Sequence, residues 1–227
     1  MEWIAEQDDT YYETIDPPWA FSLNPSAVAY LEAHPEKMIM GNACANPKLS
    51  AKLFYHMLQT FPIDLLDYRA LSFNPSDAVV DYMINNPQRI DWDMFSGNSN
   101  PKAVALLQQH YARINWSWLS MNECDAAVRM LEKNQHLIDF DALSSNSNSR
   151  AVKLLSLYPE RIHYGRLAGN KNPLAMNLLM QNDPEPEYMN WYALSKNPAA
   201  MDILKANPDK INFISFWRNP AIFEIDY

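Results

Sequence analysis

Histidine, cysteine and clustered carboxylates are the side chains that build catalytic or metal centres. In this chain they are scattered. The five histidines, His34, His56, His110, His136 and His163, make no HExxH motif and no His-Asp pair. His34 and His110 stand at a helix-stop position where other copies of a repeat carry Asn or Tyr, and His163 stands in an Asp/Asn capping column. Capping explains all three better than proton or metal chemistry. Cys44 and Cys124 form no CxxC pair and occupy Ser and Asn columns of the same repeat. They lie three repeat units apart. At about 8–10 Å per packed layer that exceeds the ~7 Å Cα limit for a disulfide, so free thiols are expected. Glu123 and Asp125 flank Cys124 and disfavour its thiolate. No Gly-rich phosphate loop and no GxSxG elbow occurs. The expectation is a protein that is not an enzyme, with no catalytic, cofactor or metal residues and no small-molecule substrate.

Binding is the remaining chemistry. Asn98, Asn122, Asn146 and Asn170, with Asn100, Asn148 and Asn172, fall in turns that line up along one edge. Two readings stand for them: helix caps, or a polar contact strip for a partner, since aligned solenoid loops often form a binding face. Trp118 stands in a column otherwise held by Met94, Ala142, Arg166, Ala193 and Ser215, so it is expected to be partly exposed and able to anchor a contact. The insert Asp183-Pro184-Glu185-Pro186-Glu187 reads as a solvated loop, or as a docking site for a basic partner through Asp183, Glu185 and Glu187.

The element that must position these residues is an internal repeat. Asn-Pro dipeptides begin at Asn24, Asn46, Asn74, Asn100, Asn172, Asn197 and Asn219, with degenerate copies at Cys124-Asp125 and Asn148-Ser149. The first half of the unit reads Ile90-Asp91-Trp92-Asp93-Met94-Phe95-Ser96 and recurs from Ile114, Ile138, Ile162, Met189 and Ile211. The second half reads Asn100-Pro101-Lys102-Ala103-Val104-Ala105-Leu106-Leu107. Asn before Pro marks a helix start, because Asn caps a free N–H and Pro at the first helical position gives up no bond. Ala-Val-x-Leu-Leu supplies an apolar helical face. Asn, His or Tyr then stops that helix, as at His34, Asn86, Tyr158 and Asn207. Asp or Asn after the Ile caps the other, shorter helix. Two helices this short cannot bury their faces alone, but stacked copies can. The fold class expected is all-α: an α-solenoid of about eight two-helix repeats of ~24 residues. Residues 1–18 read as an acidic N-terminal extension and 19–227 as a single solenoid domain. The aromatic column Trp92, Trp116, Phe140, Tyr164, Trp191 and Phe213 is expected in the continuous core. The helix after Pro47 is expected to run about a turn longer than the rest, and Trp217 in the Ser column suits a terminal unit.

Net charge is −9, which disfavours phosphate backbones, so nucleic acid is not an expected partner. No apolar run reaches the length of a membrane span, and the acidic start lacks a signal-peptide core.

The order Ile-Asp/Asn-Trp, Leu-Ser, Asn-Pro-x-Ala-Val over about residues 16–220 resembles the Leu-Ser-x-Asn-Pro repeat proteins of large nucleocytoplasmic DNA viruses, such as chlorella-virus and mimivirus relatives. The resemblance implies a viral protein located in the virion. It would be a minor capsid component that bridges or spaces other capsid proteins, which would be its partners. The alternative is a soluble cytoplasmic adaptor that binds one host or viral protein. The departures at Cys124-Asp125 and Asn148-Ser149 are expected to weaken two caps.

Overall fold

The structure, a computed structural model, describes residues 22–182 and 189–223. Among them there are helices and turns but no strand, and successive helices pack against their neighbours in chain order. The all-α, solenoid-like repeat fold is therefore present. The expected extension at 1–18 and the acidic insert lie outside the described residues. By its internal contacts the chain falls into two units, Met1–Asn115 and Trp116–Tyr227.

In the first unit the helices are α1 (Val28–Ala33), α2 (Met40–Ala45), α3 (Ala51–Thr60), α4 (Tyr68–Phe73), α5 (Asp77–Asn85), α6 (Trp92–Ser96) and α7 (Pro101–Gln109). The short helices α2, α4 and α6 pack in one row, and the longer α1, α3, α5 and α7 in another. The second unit holds α8 (Trp116–Met121), α9 (Asp125–Lys133), α10 (Phe140–Ser145), α11 (Ser149–Leu155), α12 (Tyr164–Leu167), α13 (Pro173–Asn182), α14 (Trp191–Ser195), α15 (Met201–Ala206) and α16 (Phe213–Phe216). Here α8, α10 and α12 pack in order, α14 packs on α16, and α9, α11 and α13 form the row of longer helices.

Most starts of the short helices have a local cause. Asp67, Asp91, Asp139, Asn190 and Asn212 accept a backbone N–H three residues on, and His163 does so through Nδ1, so the capping column works as expected. At the far end of the longer helices, Asn86, Asn134 and Asn207 fold Nδ2 back onto the carbonyl four residues earlier. A three-residue 3₁₀ turn follows, as at Pro87–Arg89, and delivers the buried Ile. Leu71, Val80, Met83, Phe95, Val104 and Leu107 are fully buried between the rows of the first unit. Leu119, Val128, Leu131, Leu143, Leu155 and Leu194 play that part in the second.

Three expectations change. The aromatic column is not core: Trp92, Trp116, Phe140, Tyr164 and Trp191 are half-buried, and Phe213 is 64% exposed. Some of these rings pack against the following helix stop, Trp92 on His110 at 5.0 Å and Phe140 edge-on to Tyr158 at 5.0 Å. The helix after Pro47 has its C-cap at Phe61 but starts late, at Ala51 with Ser50 as its cap, so its ten residues equal α13 and are not a full turn longer than α5, α7 or α9. Asn148 caps α11 by accepting the Arg150 N–H, so of the two departures from Asn-Pro it is Cys124 that leaves its helix without a side-chain cap.

Candidate interaction surface

The asparagine turns are the most distinctive polar feature, and the structure uses them internally. In the first unit, Nδ2 of Asn46 donates to the carbonyls of Ser22 and Asn24 at 3.0 and 3.1 Å. Asn74 donates to those of Cys44 and Asn46, both at 2.8 Å, and Asn98 to those of Ser72 and Asn74 at 2.9 and 2.8 Å. In the second unit Asn146, Asn170, Asn197 and Asn219 make the same paired donation to the preceding repeat. Each Oδ1 accepts the backbone N–H two residues on, as Asn98 does from Asn100. Both amide hydrogens and the carbonyl of the side chain are thus engaged, which is what a buried amide requires.

This corrects the contact-strip reading. Asn98, Asn122, Asn146 and Asn170 are no more than 2% exposed and offer a partner nothing. The second asparagine of the longer turns is also engaged. Asn100 caps α7 and donates back to the Pro75 carbonyl and the Asp77 carboxylate. Asn148 and Asn172 repeat that arrangement.

A second ladder runs through the serine column. The hydroxyls of Ser72, Ser120, Ser144 and Ser195 each accept a backbone N–H at the entry to the next short helix. Each donates to the carbonyl four residues back in its own helix. Cys44 takes this position in α2 as a buried free thiol, and burial pushes its pKa up to about 11. Cys124 is also a free thiol and is part-exposed.

Chemistry is sparse elsewhere. Among the described residues no group of three His, Cys, Asp or Glu side chains is placed to hold a metal ion. His34 stacks on Tyr30 at 4.6 Å, in keeping with a structural role. An open cleft of about 860 Å³ in the second unit is lined by Asp125, Glu132, Asn148, Arg150, Lys153 and Leu157. Its Arg150 guanidinium is paired with Glu132 at 2.6 and 2.7 Å, which leaves a mixed-charge surface rather than a convergent site. No described helix is long and apolar enough to cross a membrane.

Several large apolar side chains are exposed on the described surface. Trp118 is half-buried, as its column suggested. A group of the exposed side chains lies on and next to α14 and α16, which pack side by side. Tyr192, Phe213, Ile214 and Trp217 are 48, 64, 76 and 67% exposed. Lys196 lies over the Tyr192 ring at 4.9 Å, and Arg218 holds the equivalent position one repeat later. Trp217 in the Ser column is the patch's one sign in residue order, because Phe213 occupies a column that is only half-exposed in other repeats. Asp183, Glu185 and Glu187 lie outside the described residues. No family model matches the chain, and no curated protein or solved structure is detectably similar to it.

Proposed function

We propose that this chain is a non-enzymatic structural protein that works through protein contacts, as a minor capsid component that bridges or spaces other capsid proteins. The observation that carries the reading is the investment of its polar side chains. Within each unit, asparagine and serine bolt every repeat to the one before it, through buried bonds that leave little freedom between layers. A spacer needs that stiffness. The viral setting rests on the resemblance of the repeat alone.

Quantitative mass spectrometry of purified particles tests the reading. It expects this chain in fixed proportion to the major shell protein, resistant to washing and protease until the shell is opened. Absence from particles, with abundance in infected-cell extract, overturns it.

A further inference from the structure

The chain carries its own chemical complement to the exposed patch. Residues 1–21 hold six acidic side chains, Glu2, Glu6, Asp8, Asp9, Glu13 and Asp16, and no Lys or Arg. They also carry Trp3, Ile4, Tyr11, Tyr12 and Ile15. The patch on α14 and α16 has the opposite character: four exposed apolar side chains with Lys196 and Arg218 at equivalent positions beside them. Residues 189–227 carry Lys196, Lys205, Lys210 and Arg218 against Asp202, Asp209, Glu224 and Asp226. Of these, Lys210 already pairs with Asp209 at 3.2 Å, whereas the Lys196 ammonium lies over the Tyr192 ring. Clustered exposed aromatics beside cations are the composition of a binding hot spot.

We infer that the patch formed by Tyr192, Phe213, Ile214 and Trp217, with Lys196 and Arg218, receives the acidic aromatic segment 2–16 of a second copy of this chain. The segment's apolar side chains cover the exposed rings, and its carboxylates face the two cations. A continued stack of repeats is not the occupant. Trp217 fills the column where Ser72 or Ser195 receives the backbone of the next repeat, and an indole there blocks that approach. The contact is head-to-tail, so it propagates copy to copy or closes a ring. The inference does not depend on residence in a viral particle.

Sedimentation velocity of the full chain over a concentration series tests it. The expected result is mass rising with concentration, with affinity falling at least tenfold as salt is raised from low to several hundred millimolar. Two variants separate the halves of the contact: Trp217→Glu with Ile214→Glu blocks the patch, and Glu6→Gln with Asp8→Asn and Asp9→Asn blocks the segment. Each is expected to be monomeric alone with an unchanged circular-dichroism spectrum. An equimolar mixture is expected to give a 1:1 dimer, since one intact segment meets one intact patch. A wild-type chain that stays monomeric at every concentration overturns the inference, as does association that survives the segment substitutions.

Discussion

The backbone N–H of Asp91 donates to the Ser72 hydroxyl at 2.9 Å, joining the end of one short helix to the start of the next. The same hydroxyl donates to the Tyr68 carbonyl at 2.7 Å, so it is fully engaged at zero exposure. Ser72→Ala removes the acceptor and leaves the Asp91 N–H without it. The expected loss is about 1–3 kcal/mol. Ser72→Cys is expected to cost less, because Cys44 fills the same column in α2. Urea unfolding of the three proteins checks the order serine, cysteine, alanine; equal midpoints for all three would refute it.

The asparagine column predicts a sharper hierarchy. Asn98 makes its two donations to the Ser72 and Asn74 carbonyls while fully buried. Asn98→Ala leaves those carbonyls and the Asn100 N–H without their partner, for an expected loss of about 3 kcal/mol. Asn98→Asp is nearly isosteric yet expected to be worse at neutral pH, because a buried carboxylate then faces two carbonyl oxygens. Burial raises that carboxyl's pKa in the folded state. The aspartate variant should therefore recover stability as the pH falls and its carboxyl is protonated, whereas the alanine variant should not. Denaturation midpoints at neutral and acid pH separate the two.

Much of the fold could be read from residue order because each repeat position has a local cause. Ile-Asp-aromatic marks a capped short helix, and Asp91 caps α6 as its type predicts. The role of Asn98 was hidden for a physical reason: its partners are backbone carbonyls of the preceding repeat, which leave no side-chain signature. Turn length hid it further. In the short turn the ladder residue is the Asn of Asn74-Pro75, whereas in the longer turn it is Asn98, two residues before Asn100-Pro101. The aromatic column misled because Ile two residues before and Leu three after fit either a core ring or a ring lying over the rim of the core. Trp92 takes the second place, against His110.

The two thiols should differ in reactivity. Cys44 is fully buried, and burial holds its pKa up to about 11, so at pH 8 it is a protonated thiol out of reach. Cys124 is part-exposed. One equivalent of thiol reagent is expected to react in native buffer and the second only with unfolding. Because the folded pKa lies above the unfolded value of about 9, the folded state holds this proton more tightly. The contribution of Cys44 to stability is complete below about pH 9 and is lost as pH climbs toward 11. Cys44→Ser should flatten that alkaline decline relative to the parent, as read from urea midpoints between pH 8 and 11. An unchanged decline would assign it to other groups.

Cys124 also marks a place where the chain can be improved. It is the N-cap of α9, with extended φ −69° and ψ 130°, but makes no side-chain capping bond. Asn148, one repeat later with φ −66° and ψ 128°, accepts the Arg150 N–H at 2.7 Å. The backbone at 124 is thus already shaped for a capping side chain. Cys124→Asn should satisfy one exposed helix N–H and add about 1 kcal/mol, a rise of roughly 2–4 °C in a chain of this size. Asn148→Cys should do the reverse and lose more, because Asn148 also donates to the Glu123 carbonyl and the Asp125 carboxylate. Thermal unfolding of both variants decides it. A stabilised Cys124→Asn beside a destabilised Asn148→Cys assigns the effect to the capping position. No change in either would mean that the end of the longer helix is held by packing alone.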